Sequence, residues 1–355
     1  MNDARKEPNS IPAARLRAFV AAAFERVGLP AADAASVAAL MVEADLQGSD
    51  GHGIFRLPQY IRRIQAGGVN PRPNVRIERE RTAMAVVDGD NAQGHLAMKF
   101  AADLAIRKAR TAGSAWVGVR RGNHAGPASL YAKMPMQAGM IGMYFAVGNA
   151  NHLPPWGGIE MLLSTNPIAV AIPALEEPPI VLDMATTVAA FGKVKTAAQR
   201  GQTMPEGWMV DREGKPLTDP KRMDEGFLLP IGGYKGYGLA LVFGILAGTL
   251  NGAAMGRDVV DFNHDDATPT NTGQAILALD IAAFGDPEVF RRRIDDLSRD
   301  LRNSERMKGV DRIRLPGEQS LATSRDRTEH GVPIPAPLLK SLNQLAANLG
   351  IPALQ

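Results

Sequence analysis

No cysteine occurs in the 355 residues, which excludes disulfides, zinc–thiolate and iron–sulfur centres and any thiol nucleophile. A reducing compartment suits such a chain, and a cytoplasmic location is expected. Aromatic residues are scarce, at 5%, while 45% of the residues are hydrophobic and 22% charged; these are ordinary globular proportions, without a disordered or fibrous bias. The common nucleotide fingerprints are also missing. Glycine pairs stand at Gly51/Gly53 and Gly236/Gly238, yet neither extends to G-x-G-x-x-G, and no G-x-x-x-x-G-K-[ST] is present. A standard Rossmann or P-loop site is therefore not expected. The six histidines form no HExxH or other close pair at ligand spacing, so no metal is expected either, and His264 in DFNHDD reads as part of a solvated loop.

Charge of one sign is lacking too. Forty basic residues face 37 acidic ones, a net +3, and they are dispersed, with no Lys/Arg stripe interleaved with aromatics. Nucleic acid is not an expected partner, whereas a small anionic ligand suits the modest excess. The opening MNDARKEPNS shows no positive stretch running into an apolar one, so no export signal is expected. One uncharged run, GYGLALVFGILAGTLNGAAMG, invites a membrane reading. Its glycines and Asn251 dilute it, and the dense part from Leu239 to Leu250 is too short to span, so a buried core helix is predicted and no membrane partner.

What is present is a mixture of helical and strand periodicities. Residues 12–28 place Leu16, Phe19, Val20, Ala23, Phe24 and Val27 on one helical face; Val37, Leu40, Met41 and Ala44 repeat the spacing up to Gly48. A third helix carries Pro58 in its first turn and Leu57, Tyr60, Ile61 and Ile64 on its apolar side. β-type runs follow at 83–88, 115–119, 140–147, 167–173, 179–183 and 275–280, with helical stretches such as LAMKFAADLAIRKAR between them. DPEVFRRRIDDLSRDL opens on an Asp–Pro helix start, with Phe290, Ile294 and Leu297 on its apolar side, and PAPLLKSLNQLAANLG closes the chain as another amphipathic helix. The pattern predicts an α/β fold with a mixed sheet, in domains discontinuous in sequence.

Five glycine-rich polar segments are candidate sites. In SDGHGIFRLPQY, His52 sits between two glycines with Arg56 four positions on, at the start of the third helix. RGNHAGPAS sets His124 between a strand and a helix, beside backbone donors that can meet an anion. PPWGG, followed by STNPIAVAIP, combines rigid prolines with small polar side chains. LDMATT puts Asp183 at the C-terminal edge of a strand, where ligands of α/β sheets commonly bind. IGGYKGYG puts Lys235 at the entrance to the apolar helix. Singly, each has a plainer alternative: a turn histidine, a helix-capping aspartate, a surface lysine.

Together and in this order, these motifs resemble the type-2 malate/L-lactate dehydrogenase family. That group includes ureidoglycolate dehydrogenase, 2,3-diketo-L-gulonate reductase, sulfolactate dehydrogenase and the Δ1-piperideine-2-carboxylate/Δ1-pyrroline-2-carboxylate reductases. The likeness runs from about residue 12 to 350 and includes IRLPGE near the C-terminus. The resemblance implies a non-Rossmann NAD(P)-binding mixed sheet with a discontinuous helical catalytic domain, here residues 1–120 with 273–355, around an NAD(P)-binding domain at 121–272. It implies a homodimer and an NAD(P)-dependent interconversion of a 2-hydroxy acid and a 2-oxo acid, with reduction of a cyclic 2-imino acid or a catalytically weakened NAD(P)-binding homologue as alternatives. By resemblance, His52 matches the histidine of an S-H-G motif used as acid/base in some members, Arg56 the following arginine, suited to clamp a carboxylate, and His124 the N-H histidine given the acid/base role in others. The cofactor is expected along Asp183, Met184 and Ala185, at Tyr234 and Lys235, and at Gly317 and Glu318, with Thr165 and Asn166 nearby. Lys193, Lys195 and Arg200 tilt the cofactor expectation from NAD towards NADP, through its 2′-phosphate. Two departures stand out: Gly51 replaces the serine before the histidine, and Val147-Gly148-Asn149 stands where many members read T-N-S.

Overall fold

The computed structural model describes residues 9–354, the side chains of Thr196, Gln199 and Arg200 excepted. Most of the opening stretch read for an export signal lies outside the described residues. In chain order the elements are β1 (Asn9–Ile11), α1 (Ala13–Arg26), α2 (Ala31–Leu46), α3 (Leu57–Gln65), β2 (Arg76–Glu80), β3 (Met84–Asp88), α4 (Gly94–Ala112), β4 (Ser114–Gly122) and α5 (Ser129–Gln137). Then come β5 (Ile141–Ala146), β6 (Ile168–Ile172), β7 (Ile180–Met184), α6 (Phe191–Arg200), β8 (Met209–Asp211), β9 (Gly226–Leu228) and α7 (Tyr234–Ala247). The chain ends with β10 (Thr272–Leu279), α8 (Pro287–Asn303), α9 (Glu318–His330), β11 (Val332–Ile334) and α10 (Ala336–Leu349).

Seven strands form one mixed sheet in the order β2-β3-β4-β10-β5-β6-β7. Only β3 and β4 pair in parallel; every other neighbour is antiparallel. It follows that β3, β4, β5 and β7 point the same way, so their C-terminal ends, and the beginnings of β6 and β10, share one edge of the sheet. β10 pairs with both β4 and β5, so the hydrogen-bonded sheet runs without a break across residues 121 and 273. The alanine-rich α4 packs closely on one face with α5, burying Met98, Ala101, Ala105 and Tyr131 against β4 and β10. α7 covers part of the other face, with Ala247 against Phe145 and Val147.

A second core belongs to the helices near the two ends of the chain. Leu16, Val20, Phe24, Met41, Leu57 and Ile61 from α1, α2 and α3 pack with Leu342 and Ala346 of α10, and β1 pairs with β11 to tie the ends together. A small unit of α6, β8 and β9 closes on Val194, Met204, Met209 and Leu228. Among the described residues no helix is long and apolar enough to cross a membrane.

Two expectations need correction. The apolar helix α7 is not wholly buried: Leu239, Val242 and Ile245 are 40%, 50% and 44% exposed, because the fully buried positions are the small residues Gly236, Ala240, Gly244 and Ala247 on the opposite face. Leu297 of α8 is also exposed, and the buried positions are instead Asp295 and Ser298. Three backbone N–H groups, from Leu175, Glu176 and Glu177, donate to the Asp295 carboxylate at 3.0, 2.9 and 3.2 Å, and this polar anchor turns α8 away from its apolar register. The Asp–Pro start does form as predicted, with the Asp286 carboxylate accepting from the N–H groups of Glu288 and Val289.

The segment between α2 and α3 is two short 3-10 turns, Asp50–His52 and Ile54–Arg56, rather than an open loop. Its foundation is the buried Asp45 of α2, which accepts the Ile54 N–H at 2.8 Å. Burial pushes the Asp45 carboxyl up to about 8, assisted by nearby Asp50 and opposed by the Ile54 hydrogen bond and Arg327, so the group is an uncharged acid at neutral pH. Gly53 lies flat on it: a β-carbon there would stand 1.9 Å from the Asp45 Oδ1. Gly53 thus serves packing and does not leave room for substrate, whereas Gly51 faces open space. Gly53→Ala is expected to cost about 1–3 kcal/mol, as overpacking against a fixed neighbour does, measured by urea unfolding, with activity falling as the His52 turn shifts.

Candidate active site

A cavity of ≈1030 Å³ opens at the sheet edge where β4, β5 and β7 end. Its wall is built from the 48–56 turns, the 124–129 segment after β4, Val147–Asn149 after β5, the 183–188 segment after β7, the start of α6, Phe262–Asn263, and the start of α9. Of the residues singled out from sequence, it brings together His52, Arg56, His124, Thr165, Asp183, Met184, Ala185 and Gly317. The other four lie outside its lining. Asn166 is buried, accepting from the Gly148 N–H and donating to the Ala240 carbonyl, which ties α7 to the β6 end. Tyr234 is 62% exposed, edge-on to Trp156, and Lys235 is exposed. Glu318 is paired with Arg302 at 2.6 Å.

Five rings and a guanidinium make up the polar end. His52 and His124 stack with centroids 5.3 Å apart and planes 7° apart, and His124 stacks in turn on Phe262 at 5.1 Å. Arg56 lies over Phe262, its Cζ 5.1 Å from the ring centre. Its Nε donates to the Gly51 carbonyl at 2.9 Å and its Nη1 to Gln59 Oε1 at 2.8 Å and Asn263 Oδ1 at 3.4 Å. The His52 ring makes no hydrogen bond among the described residues, and its Nδ1 is buried. His124 Nδ1 faces the Tyr60 hydroxyl at 2.5 Å and the Gly126 N–H at 3.4 Å. An amide can only donate, so Nδ1 accepts, and the neutral His124 ring carries its proton on Nε2. Tyr60 also meets His95 edge to face, and His95 is fully buried with Nε2 unpartnered among the described residues.

The electrostatics follow from enclosure. Burial, then the Arg56 charge, pushes His52 down to about 4; burial, then His52, pushes His95 down to about 3. His124 falls well below the ordinary imidazole range, by burial first and then by His52, Arg56 and His95. These rings are neutral at pH 7 in the free protein. Asp183 opens onto the cavity yet is ringed by protein, which raises its carboxyl despite the Ser129 N–H donated at 2.8 Å and the nearby Lys133. Lys193 and Lys195 also line the cavity, while the side chain of Arg200 lies outside the described residues.

Sequence reasoning did not assign Tyr60, His95, Phe262, Asn263 or Lys133 to the site. A signal existed for Tyr60, which follows Arg56 by one helical turn and so shares its side of α3. None existed for Phe262 and Asn263, which come from the segment read as solvated.

A family model described as malate/L-lactate dehydrogenase matches residues 11–343. The chain belongs to that family. Malate dehydrogenase of Pyrococcus horikoshii is 36% identical over 353 residues, covering 97% of this chain and 96% of its own. L-sulfolactate dehydrogenase of Methanocaldococcus jannaschii is 38% identical over 327 residues, covering 92% and 93%. The solved structure of sulfolactate dehydrogenase from the same organism superposes with a TM-score of 0.90 at 35% identity, over 97% of this chain and 98% of that one. A further relative is the Δ1-pyrroline-2-carboxylate/Δ1-piperideine-2-carboxylate reductase of Pseudomonas putida, 32% identical over 338 residues, 94% of this chain and 96% of its own. The protein is accordingly an oxidoreductase of the dehydrogenase type.

Because the buried histidines take up protons far less readily than in the unfolded chain, where the reference is about 6.5, their contribution to stability is present above pH 6.5 and is lost as pH falls through their lowered values. Urea unfolding is expected to show stability dropping from pH 6.5 towards 4. In His95→Gln the drop between pH 7 and pH 5 is expected to be smaller.

Proposed function

We propose that this enzyme interconverts a 2-hydroxy acid and its 2-oxo acid with NAD(P), using His52 as acid/base and Arg56 as carboxylate clamp. The observation that carries the reading is an imidazole that, among the described residues, has no hydrogen-bond partner, held beside an arginine with no carboxylate partner among them, in one cavity at the edge where β4, β5 and β7 end. The cavity suits the coenzyme as well as a small acid: its volume is at the upper end of the ligand-pocket range. Gly317, with φ +95°, lets the turn into α9 lie against Val181, where a β-carbon would meet Val181 at 2.9 Å, and so presents the first turn of α9 to the cavity. Thr165, Asp183, Met184, Ala185 and Gly317 would hold the coenzyme. When bound, it supplies the acceptor or donor of the C2 hydride.

The remaining steps belong to this chain. Arg56 fixes the C1 carboxylate by charge-assisted hydrogen bonds. In oxidation, neutral His52 accepts the hydroxyl proton; in reduction, its protonated form returns a proton to the oxo oxygen. The substrate carboxylate offsets the Arg56 field that depresses His52, so binding raises the proton affinity of the ring. His124, its Nδ1 engaged, offers Nε2–H as a hydrogen-bond donor. The reductase relative supports a second reading in which the acceptor atom is the nitrogen of a cyclic 2-imino acid at the same carbon. Lys193, exposed at the cavity wall, favours NADP(H) over NAD(H).

We also infer a homodimer, consistent with the apolar α7 stripe of Leu239, Val242 and Ile245 that the monomer leaves exposed. Sedimentation velocity should give twice 37.9 kDa, and Val242→Glu should shift the protein to monomer.

Screening with NADH and NADPH against 2-oxo and cyclic imino acids tests the class. Within it, His52→Ala should lower kcat on the order of 10²-fold or more, and Arg56→Ala should act mainly on KM. An active His52→Ala beside a dead His124→Ala would transfer the acid/base role to His124.

A further inference from the structure

One buried amide, outside the cavity lining, joins the Arg56 guanidinium to the ring on which it rests. Gln59 of α3 accepts from Arg56 Nη1 at 2.8 Å through its Oε1 and donates from its Nε2 to the Phe262 carbonyl at 2.7 Å. A guanidinium can only donate and a carbonyl can only accept, so both ends of the amide are fixed. Glutamine is the one side chain of this length that offers an acceptor and a donor together. An ionised glutamate would turn an oxygen on the Phe262 carbonyl, and a methionine would leave both groups without this partner.

Phe262 is pinned on its other side as well. Its N–H donates to the Asn149 carbonyl at 3.1 Å, and the buried Asn149 amide donates to the Thr272 hydroxyl, which gives the departure at 147–149 a structural part. The buried ring therefore has a set place against His124 and Arg56, 5.1 Å from each. Arg63 Nη2 donates to the Thr268 carbonyl at 2.9 Å and Arg62 pairs with Asp266 at 3.1 Å, so α3 grips the 262–268 segment at several points. Of these α3 side chains, Gln59 alone also bonds Arg56.

A clamp needs that double hold. A long side chain loses rotamer freedom on binding a ligand unless it is already ordered, and an ordered one presents its donors in a single direction. Arg56 Nε is taken by the Gly51 carbonyl at 2.9 Å and Nη1 by Gln59, with a longer reach to Asn263 at 3.4 Å, while Nη2 makes no hydrogen bond among the described residues. Gln59 thus orders the guanidinium without occupying Nη2.

We propose that Gln59 is a positioning residue for the substrate clamp: by holding Arg56 Nη1 and the Phe262 carbonyl at once, it sets the guanidinium against the ring and fixes the direction in which Nη2 meets the substrate carboxylate. This rests on the reading of Arg56 as that clamp.

The test compares wild type with Gln59→Met, Gln59→Glu, Arg56→Ala, the double variant Arg56→Ala/Gln59→Met, and Arg62→Ala, which loosens the same segment without touching Arg56. With coenzyme saturating, KM and kcat are measured for pyruvate, oxaloacetate and Δ1-piperideine-2-carboxylate, and calorimetry gives the Kd of oxamate, an unreactive 2-oxo acid analogue, on the enzyme–coenzyme complex. Both Gln59 variants should raise the KM for the acid that wild type turns over fastest, and the oxamate Kd, tenfold or more, with kcat held within about threefold, the pattern of lost ground-state binding. In the Arg56→Ala background the Gln59→Met effect should shrink below twofold, which a merely structural role would not produce, and Arg62→Ala should leave KM within twofold. If Arg56→Ala raises KM while Gln59→Met leaves it within twofold, or if Gln59→Met acts equally with Arg56 absent, or if Arg62→Ala raises KM as much, the proposal is overturned and the clamp reading stands. If Arg56→Ala changes neither KM nor Kd, or wild type neither turns over nor binds any of these acids, the clamp reading fails and the proposal falls with it. Should Gln59→Met fail to fold, Gln59→Glu, of nearly the native size, answers the same comparisons.

Discussion

The hydrogen bond from the Ile54 N–H to the buried Asp45 carboxyl is the constraint on which the site depends. It clamps two 3-10 turns to the end of α2, and those turns put His52 and Arg56 on the cavity wall together. The contact works because Gly53 has no side chain to lift the turn from the carboxyl and because burial keeps Asp45 protonated at neutral pH, which avoids an unpaired buried charge. On the outer side Arg327 of α9 bonds both the Asp45 carbonyl and the Asp50 carboxylate. The 50–56 segment is thus held from a helix near each end of the chain, and the β1–β11 pairing keeps those ends together.

The sheet supplies the other half of the site by direction alone. β3, β4, β5 and β7 run one way, so the segments that follow them, carrying His95, His124, Val147–Asn149 and Asp183, arrive at the same edge. His52, His95, His124 and His152 are all pushed towards the neutral form, principally by burial. Meanwhile Arg56 and Lys195 have no carboxylate within 4 Å among the described residues. The cavity thus sets basic side chains among uncharged rings, which suits an anionic ligand.

Much of this was legible in the chain. The six β-type runs correspond to β3–β7 and β10, all inner strands but the edge strand β7, because strands packed on a core read as apolar segments whatever their partners. The edge strand β2, RIERE, carries too little apolar character to be seen, and β1, β8, β9 and β11 are three residues each. Buried helix α7 failed as an expectation since its composition is apolar all round; only its packing shows that the small-residue face is the one the monomer covers. Leu297 misled for the converse reason, a polar anchor at Asp295 overriding the apolar spacing.

For the site, sequence by itself determined the pairing of His52 with Arg56, whose four-residue spacing is local, and the family to which the motifs belong. Local chemistry and order along the chain are sufficient for both. Only the tertiary structure decided which of the glycine-rich segments meet: it gathered 52, 124, 165, 183–185 and 317, left 166, 234, 235 and 318 outside the cavity lining, and added Asn263 from 207 positions beyond Arg56. It alone placed Lys195 beside the arginine. Such meetings depend on strand direction and on burial across hundreds of residues, quantities that no periodicity or motif spacing encodes.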